Sequence, residues 1–286
     1  MKIFNRIDDL HQQLAEDRKD GRTIGLVPTM GALHNGHLSL VSKSRSMCQK
    51  TVVSIFVNPK QFGPDEDFSA YPRDLAGDCA LLEKAGVDYV FAPSVEEMWP
   101  EGNATSVEVE GLSDILIGKL RPGHFRGVTT VVAKLFNIAQ PDFAFFGEKD
   151  YQQLVIIRQM VKDLCFPVKI ESVPILRDED GVASSSRNAL LTPEDRKAAI
   201  VIPRSLTVAA RLFREGEQKI ATLRQRISEV LNSEPRAKPE AIDFRDAATL
   251  EEVEDRIVKP VVLLLTVRFG SVRLIDQYLF KEGDRE

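Results

Sequence analysis

Two histidines stand three residues apart in the segment over residues 27–37, which reads VPTMGALHNGH. A short apolar run over residues 23–27 leads into it and an amphipathic stretch over residues 38–48 follows, an order that predicts a strand, a turn and a helix. Because residues three apart share one face of a helix, His34 and His37 would lie side by side. A helix N-terminus presents unpaired backbone N–H groups and the positive end of the helix dipole. The segment therefore predicts a cradle for nucleotide phosphates, with imidazoles as additional donors.

Two other interpretations of this histidine pair stay open at this point. A His-x-x-His pair could bind a metal, although the zinc proteases space their histidines by four residues with a glutamate between them. Here Asn35 and Gly36 separate the histidines, and the cysteines, at positions 48, 79 and 165, are scattered along the chain. The pair could also be two ordinary polar groups on the surface.

The composition indicates a globular protein with no overall affinity for nucleic acid. The chain has 286 residues, of which 43% are hydrophobic, and its net charge is −5. This length is enough for a sizeable core and for two domains. An acidic chain lacks the basic surface that nucleic acid requires, but a local cluster of Lys, Arg and His can still bind ATP.

The sequence predicts a cytoplasmic protein that does not enter a membrane. Three scattered cysteines, an odd number, do not form a disulfide framework, so a reducing cytoplasm is the simplest setting. The segment over residues 1–14, MKIFNRIDDLHQQL, is charged throughout and has no apolar core of the kind found in signal peptides. The longest apolar run, over residues 258–267, contains Lys259 and Pro260 and is too short to cross a membrane.

Strand-like and helix-like runs alternate over the first two-thirds of the chain. Predicted strands cover residues 23–27, 51–57, 88–92, 142–146 and 168–173, and predicted helices cover residues 38–48, 75–85, 128–139 and 150–164. This alternation predicts an α/β fold whose parallel sheet is covered by helices. Ligands bind beyond the carboxyl ends of the strands in such sheets, so the loops after Val27, Val57 and Phe146 would form the ligand-binding edge.

The last third of the chain predicts a smaller α+β domain. Predicted helices over residues 193–213 and 218–231 precede a turn-rich connector over residues 233–239, and short strands follow near residues 242–244, 261–267 and 272–275. The change in pattern places the boundary at residue 176. The predicted domains therefore cover residues 1–175 and residues 176–286.

Two polar segments could recognise a small acid. Asn58 and Gln61 follow a predicted strand in the sequence VNPKQF, and their amide groups could orient a hydroxy acid. An alternative is that the Asn-Pro pair merely ends the strand. Arg121 and His124 lie in RPGHFRGV, just before the helix predicted over residues 128–139. Arginine suits multidentate binding of phosphate or carboxylate, and a loop of solvated charges is the weaker alternative.

Two further segments could bind phosphates. Lys149 stands at a predicted helix start, where the helix dipole repels it unless an anion is present, and a local misfit of this kind is typical of a functional site. The next residue, Asp150, could instead be a plain N-cap. Three serines at positions 184–186 precede Arg187, and together they could wrap a triphosphate or a pyrophosphate, although serine-rich loops are common.

These motifs, in this order, resemble those of the pantoate–β-alanine ligases over nearly the whole chain. The segments that carry the resemblance are VPTMGALHNGH, SIFVNPKQF, YPRD, RPGHFRGV, FGEKDYQQL, SSSRNALL and RLID. Residues 34–37 look like the HIGH element of the nucleotidyltransferase superfamily, and residues 184–187 look like its KMSKS element. The resemblance implies a Rossmann-like parallel sheet with helices on both faces and a smaller α+β C-terminal lid domain.

The resemblance implies an ATP-dependent ligation in two steps. The carboxylate of (R)-pantoate attacks the α-phosphate of ATP, which gives pantoyl adenylate and pyrophosphate. The amine of β-alanine then displaces AMP and gives pantothenate. ATP is thus a substrate, Mg²⁺ is expected on its phosphates, and the protein is expected to be a homodimer that binds neither nucleic acid nor membranes.

The resemblance also implies roles for particular residues. His34, His37 and Lys149 would be catalytic, because they would stabilise charge on the phosphates. The ATP site would comprise Met30, His37, Gly147, Lys149, Asp150, Leu176, Ser185, Ser186 and Arg187. The pantoate site would comprise Gln61, Gln153 and Asn58, with Arg121 and His124 in a possible substrate region. Asp78 is the candidate for binding magnesium.

Four positions depart from the family pattern. Lys60 stands where the family often has Met, and Asn35 stands where Glu or Asp is more usual. Gly77 replaces a frequent acidic residue, which counts against the magnesium assignment, and Ser184 replaces Met or Leu. None of these departures removes a residue that is assigned to the chemistry.

Rival functions make different demands on the sequence. A nucleotidyltransferase that stops at an adenylylated or cytidylylated product would share the phosphate cradle but would need no site for an attacking amine. An RNA-binding protein of the aminoacyl-tRNA synthetase type is disfavoured by the acidic charge and the short second domain. A noncatalytic nucleotide-binding module would not need Lys149 and both histidines. The absence of GxxxxGK[ST] and GxGxxG counts against P-loop kinases and NAD-dependent dehydrogenases.

Overall fold

The computed structural model describes residues 1–63, 68–69 and 71–285, and the chain in it divides into two units. The first unit comprises Met1–Glu148 and Gln152–Pro174, and the second comprises Lys149–Tyr151 and Ile175–Glu286. The sequence had placed a boundary between residues 175 and 176. The segment Lys149–Tyr151 groups with the second unit, although its neighbours on both sides along the chain belong to the first.

A six-stranded parallel sheet forms the centre of the first unit. The strand order is β1-β4-β3-β2-β5-β6, and every neighbouring pair is parallel. The strands are β1 (Lys2–Phe4), β2 (Ile24–Thr29), β3 (Lys50–Ile55), β4 (Tyr89–Phe91), β5 (Phe143–Gly147) and β6 (Lys169–Val173). The helices are α1 (Ile7–Lys19), α2 (Asn35–Met47), α3 (Leu75–Lys84), α4 (Val95–Met98), α5 (Ile117–Leu120), α6 (His124–Ala139) and α7 (Tyr151–Asp163).

Successive side chains of the central strands pack into two different hydrophobic clusters. Leu26 of β2 lies in a cluster with residues of α1, α6 and α7, whereas the next residue, Val27, lies in a cluster with residues of α2 and α3. Val52 and Val53 of β3 divide in the same way. Because successive strand side chains point to opposite faces, helices cover both faces of the sheet. This confirms the predicted Rossmann-like α/β fold.

The first twenty residues, for which no element was predicted, contain β1 and α1. The signal was present, because Ile7, Leu10 and Leu14 recur at the spacing of one helical face. Leu10 and Leu14 are fully buried in the cluster that also contains α6. The many charged residues between them obscured this pattern.

The second unit is a smaller α+β structure, as predicted. Its elements are α8 (Pro193–Ala198), α9 (Val201–Arg214), α10 (Ile220–Asn232), β7 (Lys238–Asp246), β8 (Val261–Phe269) and β9 (Val272–Phe280), and the three strands form an antiparallel sheet in the order β7-β8-β9. Phe213, Phe244 and Phe280 pack together in its core. Each of these three aromatic side chains is almost completely buried.

The single helix predicted over residues 193–213 is wrong, because the structure contains α8 and α9 in its place. Pro203 has no N–H group and therefore cannot bond to the carbonyl of Ala199 in a continuous helix. In the structure it lies in the first turn of α9, where a missing N–H is tolerated. None of the described helices is long and apolar enough to span a membrane.

We predict that Gly25→Ala destabilises the first unit, because α2 packs directly on this strand glycine. A Cβ atom at Gly25 would lie 2.3 Å from Ser44 Oγ and 2.9 Å from Cys48 Sγ. We expect a loss of about 1–3 kcal/mol in the free energy of unfolding. Urea titration followed by the fluorescence of Trp99, the only tryptophan of the chain, measures it.

The matched control for this variant is Gly283→Ala. A Cβ atom at that glycine meets no other atom within 4 Å, so the substitution should leave the unfolding midpoint unchanged. An unchanged midpoint for Gly25→Ala as well would contradict the close packing of α2 against β2.

Candidate active site

The loop between β2 and α2 ends in a histidine cap. His34 is the N-cap of α2, and its Nδ1 accepts a hydrogen bond from Gly36 N at 3.1 Å. His37 Nδ1 accepts one from His34 N at 3.3 Å, and the centroids of the two rings lie 4.1 Å apart. Because each Nδ1 is an acceptor, each neutral ring carries its proton on Nε2. The structure therefore brings the two histidines together as a pair of Nε2–H donors at a helix N-terminus.

The N-terminus of α2 has no acidic residue in its first turn. The positive end of the dipole of this 13-residue helix is therefore not neutralised by a carboxylate in that turn. The positive end of a helix dipole favours an anion such as phosphate. The geometry thus supports the phosphate interpretation of the histidine pair.

Asp78 holds the preceding part of this loop. Its side chain is buried, and its two carboxylate oxygens accept the backbone N–H groups of Ala32 and Leu33 at 2.9 and 2.8 Å. Gly31 and Ala32 both have positive φ values, of 79° and 50°. The carboxylate therefore fixes a backbone conformation that is unfavourable for most residues, and this conformation leads directly into the histidine cap.

The described residues do not form a protein metal site. Over residues 1–63, 68–69 and 71–285, no group of three or more His, Cys, Asp or Glu side chains could hold a metal ion. The Asp78 carboxylate is bound to two backbone N–H groups, which gives it a structural role in the loop. The described protein residues alone therefore do not supply a complete set of ligands for a resident magnesium ion.

A second loop follows β3, and its centre is Asn58. The Asn58 side chain is 1% exposed, and its Nδ2 donates to Gln61 Oε1 and to Gly127 O, both at 3.1 Å. Its Oδ1 accepts from Lys60 N at 3.2 Å and from Trp99 Nε1 at 3.1 Å. These bonds orient the amide of Gln61, whose Nε2 donates to the sulfur of a methionine in the neighbouring loop at 2.9 Å.

That methionine is Met30, so the loops after β2 and β3 are in direct contact. The parallel pairing of β2 with β3 runs from Ile24 opposite Lys50 to Thr29 opposite Ile55, and both strands therefore end at the same edge. The structure thus brings together the predicted site residues of the two loops. Met30 comes from the first loop, and Asn58 and Gln61 come from the second.

Arg121 and His124 bind the same second loop. His124 Nδ1 lies 2.8 Å from Gln61 O, and Arg121 Nη1 lies 3.2 Å from His124 Nε2. A neutral imidazole with its proton on Nδ1 satisfies both contacts, because it donates to the carbonyl and accepts from the guanidinium. The structure therefore places both predicted residues at the Gln61 turn.

Gly127 allows α6 to approach this turn closely. A Cβ atom at Gly127 would lie 2.2 Å from Lys60 O and 2.7 Å from Gln61 Cα, distances that no real Cβ atom adopts. The absence of a side chain also leaves room for the bond from Asn58 Nδ2 to the Gly127 carbonyl. The glycine in RPGHFRGV is thus part of the support of the second loop.

Trp99, for which the sequence predicted no role, also contacts the second loop. Its indole N–H donates to Asn58 Oδ1, and its ring lies beneath Lys60 Nζ, which is 4.1 Å from the ring centroid. Lys134 Nζ lies 5.2 Å from the same centroid. Burial and then the positive charge of Lys60 lower the pKa of Lys134. No sequence signal linked Trp99 to Asn58, because 41 residues separate them.

The adjacent glutamines of α7 have different surroundings. Gln152 is buried, its Nε2 donates to Leu112 O and Ile115 O, and its Oε1 accepts from Ile117 N. These bonds give Gln152 a structural role. Gln153, the glutamine assigned to pantoate, is partly buried and is not held in this way.

Gly147, Lys149 and Asp150 follow β5 along the chain. Gly147 is the last residue of that strand, and a Cβ atom built on it meets no atom within 4 Å. Residues Glu148–Asp150 form a short 3₁₀ helix. Within the described part of the chain, the Lys149 ammonium makes no ion pair or hydrogen bond, so its charge is uncompensated.

Residues 184–187, called the serine loop below, lie in the second unit. Ser185 is the N-cap of a 3₁₀ helix over Ser186–Leu190, and its hydroxyl accepts from Arg187 N at 3.3 Å. Leu176 is 39% exposed, and its carbonyl accepts from Ser184 N at 2.9 Å. As far as the structure describes the chain, the Arg187 guanidinium has no carboxylate partner. The loop therefore presents hydroxyls and an uncompensated cation, as an anion site requires.

Comparison with known proteins identifies the family. A sequence model described as Pantoate-beta-alanine ligase matches residues 2–279. The chain belongs to the pantoate–β-alanine ligase family. It is 62% identical over 282 residues to the pantothenate synthetase of Bartonella henselae, a match that covers 99% of each protein.

Solved structures of pantoate–β-alanine ligases have the same fold. The crystal structure of pantothenate synthetase from Thermus thermophilus superposes with a TM-score of 0.92 at 46% identity, covering 97% of this chain and 99% of that one. The enzyme from Francisella tularensis, complexed with "Beta-gamma ATP" and β-alanine, has a TM-score of 0.79 at 37% identity and covers 98% of this chain and 97% of its own.

We predict that Asp78→Ala destabilises the histidine loop, because it leaves the N–H groups of Ala32 and Leu33 without their acceptor. The expected loss in the free energy of unfolding, measured by urea titration without ATP, is about 2–3 kcal/mol. Glu83→Ala, on the same helix but exposed, is the control and should be neutral. Unchanged stability together with an altered Mg²⁺ dependence of ATP binding would instead identify Asp78 as a magnesium ligand.

Proposed function

We propose that the protein condenses (R)-pantoate with β-alanine to pantothenate, using ATP and releasing AMP and pyrophosphate. The observation that carries this proposal is the family match over residues 2–279, nearly the full length of the chain. The Francisella tularensis relative, complexed with "Beta-gamma ATP" and β-alanine, supports ATP and β-alanine as substrates. The phosphate-binding geometry at the start of α2 is what such a reaction requires.

In the first step, a carboxylate oxygen of pantoate attacks the α-phosphorus of ATP and pyrophosphate leaves. Negative charge accumulates on the phosphate oxygens, and preorganised donors stabilise it. We assign this role to the Nε2–H groups of His34 and His37, assisted by the positive end of the α2 dipole. Lys149, whose charge is uncompensated, would neutralise phosphate charge as well.

Further ATP contacts are assigned to residues at the carboxyl ends of β2 and β5, at the start of α2 and in the serine loop. The proposed set is Met30, His37, Gly147, Lys149, Asp150, Leu176, Ser185, Ser186 and Arg187. Magnesium would enter as part of the MgATP substrate, because the described residues form no protein site for it.

In the second step, the amine of β-alanine attacks the carbonyl carbon of pantoyl adenylate, loses a proton and displaces AMP. Pantoate must be held with its carboxylate aimed at phosphorus and then at the amine. We propose that the amides of Gln61 and Gln153 bind pantoate. Asn58, which is assigned to the same site, would act on the ligand mainly by orienting Gln61. Arg121 and His124 would hold this turn in place through their contacts with the Gln61 carbonyl.

The proposal also includes an oligomeric state and a location in the cell. The family resemblance implies a homodimer, which light scattering would report as twice the 32.0 kDa chain mass. It also implies a cytoplasmic location, where the substrates of such a ligase occur.

The direct test of the reaction is the release of AMP and pyrophosphate from MgATP and (R)-pantoate, with and without β-alanine. Sustained AMP release that requires all three substrates, with pantothenate as product, is the expected result. A rate of AMP release that is indifferent to β-alanine would identify a nucleotidyltransferase instead. No turnover by the folded protein would contradict the proposed substrates.

We predict that Lys149→Ala lowers kcat by about 10²–10³-fold, because the variant loses a cation that neutralises phosphate charge. Lys162→Ala removes an exposed lysine near the end of α7 and should retain full activity. Equal circular-dichroism spectra and melting temperatures would show that both variants fold. Near-wild-type kcat for Lys149→Ala would refute the assignment.

Conservative variants test the histidines without removing the helix cap. His34→Asn keeps a side-chain acceptor at the N-cap, and His37→Gln keeps the acceptor that a capping box needs at the third helical position. Both replace the imidazole by a primary amide, whose N–H groups do not occupy the position of the imidazole Nε2–H while the amide oxygen caps the helix. We expect each to slow pantoyl adenylate formation by at least about tenfold while changing amine attack on added pantoyl adenylate much less. Equal losses in the two half-reactions would argue against phosphate binding by these histidines.

A further inference from the structure

A tight hairpin leads directly into the serine loop. Arg177 pairs with Ala183 in an antiparallel bridge, and Asp178 N donates to Val182 O at 2.8 Å. Arg177 also forms a two-bonded ion pair with Asp276 of β9, at 2.7 and 3.0 Å. The hairpin is thus fixed to the antiparallel sheet of the second unit.

The Asp178 carboxylate of this hairpin contacts both ends of the segment Ser185–Arg187. On one side, Ser184 Oγ donates to Asp178 Oδ1 at 2.5 Å. On the other side, Asn188 Nδ2 lies 3.5 Å from Asp178 Oδ2, and it also donates to Ala183 O at 3.0 Å. The Asp178 side chain therefore links the two residues that flank the segment Ser185–Arg187.

Arg196 of α8 holds the same carboxylate from outside the loop. Its Nη2 donates to Asp178 Oδ2 at 2.9 Å, and its guanidinium also binds Asp180 through bonds of 2.5 and 3.1 Å. The hydrogen bond from Arg196 lowers the pKa of Asp180. Arg196 is therefore neutralised by two aspartates, whereas Arg187 within the loop has no such partner in the described structure.

We propose that Asp178 is a positioning residue, which holds the Ser185–Arg187 segment in the conformation that binds the phosphates of ATP. The contacts with Ser184 and Asn188 limit the backbone at both ends of the segment, so less conformational freedom is lost when ATP binds. This proposal rests on the proposed function, because it takes the serine loop as part of the ATP site. Asp178 itself carries a negative charge and would not contact the phosphates.

The structure supplies a matched control for Asp178. Asp180 lies two residues away, binds the same Arg196 and touches neither end of the serine loop. Asp178→Ala and Asp180→Ala therefore both remove one partner of Arg196, but only the first releases the loop. We expect Asp178→Ala to raise the KM for ATP roughly tenfold, the size of effect that a hydrogen bond to a charged group produces.

Two measurements, the KM for β-alanine and the melting temperature, distinguish a positioning role of Asp178 from a general loss of structure. The KM for β-alanine and the melting temperature measured without ATP should be close to those of Asp180→Ala, whose KM for ATP should change less than about twofold. Asp178→Asn, which keeps an acceptor for Ser184 Oγ, should recover part of the ATP affinity. Equal KM values for ATP in Asp178→Ala and Asp180→Ala would overturn the proposal.

Ser184→Ala is a smaller change than Asp178→Ala and tests the same role if Asp178→Ala does not fold. Ser184→Ala removes one bond at the base of the loop and leaves the Asp178–Arg196 pair intact, and it should raise the KM for ATP by about threefold. An unchanged KM in this variant would also count against the proposal.

Calorimetric titration of the same variants with MgATP alone needs no turnover. Wild-type binding of MgATP that weakens in Asp178→Ala would support the positioning role even if pantothenate were not formed. Wild-type protein that neither binds MgATP nor forms pantothenate would mean that the proposed function itself had failed. Wild-type binding that Asp178→Ala leaves unchanged would overturn the positioning role alone.

Discussion

The parallel pairing of β2 with β3 is the constraint on which the first unit's site depends. Because both strands run in the same direction and in register over six residue pairs, the loops that follow them must begin at one edge of the sheet. One loop carries the histidine cap and Met30, and the other carries Gln61, whose amide touches the Met30 sulfur. The parallel pairing thereby brings the histidine cap and the amide of Gln61 to the same edge of the sheet.

Each of the three loops with a proposed role is held by a polar side chain of its own unit. The Asp78 carboxylate binds the backbone before the histidine cap, the Asn58 amide orients Gln61, and the Asp178 carboxylate binds both ends of the serine loop. These groups are occupied by protein partners and are therefore suited to fix geometry. The side chains assigned to the phosphates of ATP, those of His34, His37, Lys149 and the serine loop, are donors or cations, which is what nucleotidyl transfer needs in place of a protein nucleophile.

The sequence predicted the parts of the fold whose local patterns agree with the final structure. The β-branched run before Asn58 and the apolar run before Gly147 predicted buried strands, because strands covered on both faces read as continuous hydrophobic segments. The break near Pro203 was missed, although a proline within a predicted helix is itself a signal that the helix is interrupted there. The support of the site was also missed, because Trp99 and Asp78 reach their partners through the tertiary structure, across 41 and 46 residues.

The central claim is that the pantoate carboxylate is activated as an adenylate, and transfer of ¹⁸O tests it most directly. The enzyme would be supplied with (R)-pantoate labelled in both carboxylate oxygens, MgATP and β-alanine, and the products analysed by mass spectrometry. Attack on the α-phosphorus followed by displacement of AMP predicts one ¹⁸O atom in each AMP formed and none in pyrophosphate. Label in inorganic phosphate together with ADP would instead show activation at the γ-phosphate and would contradict the account.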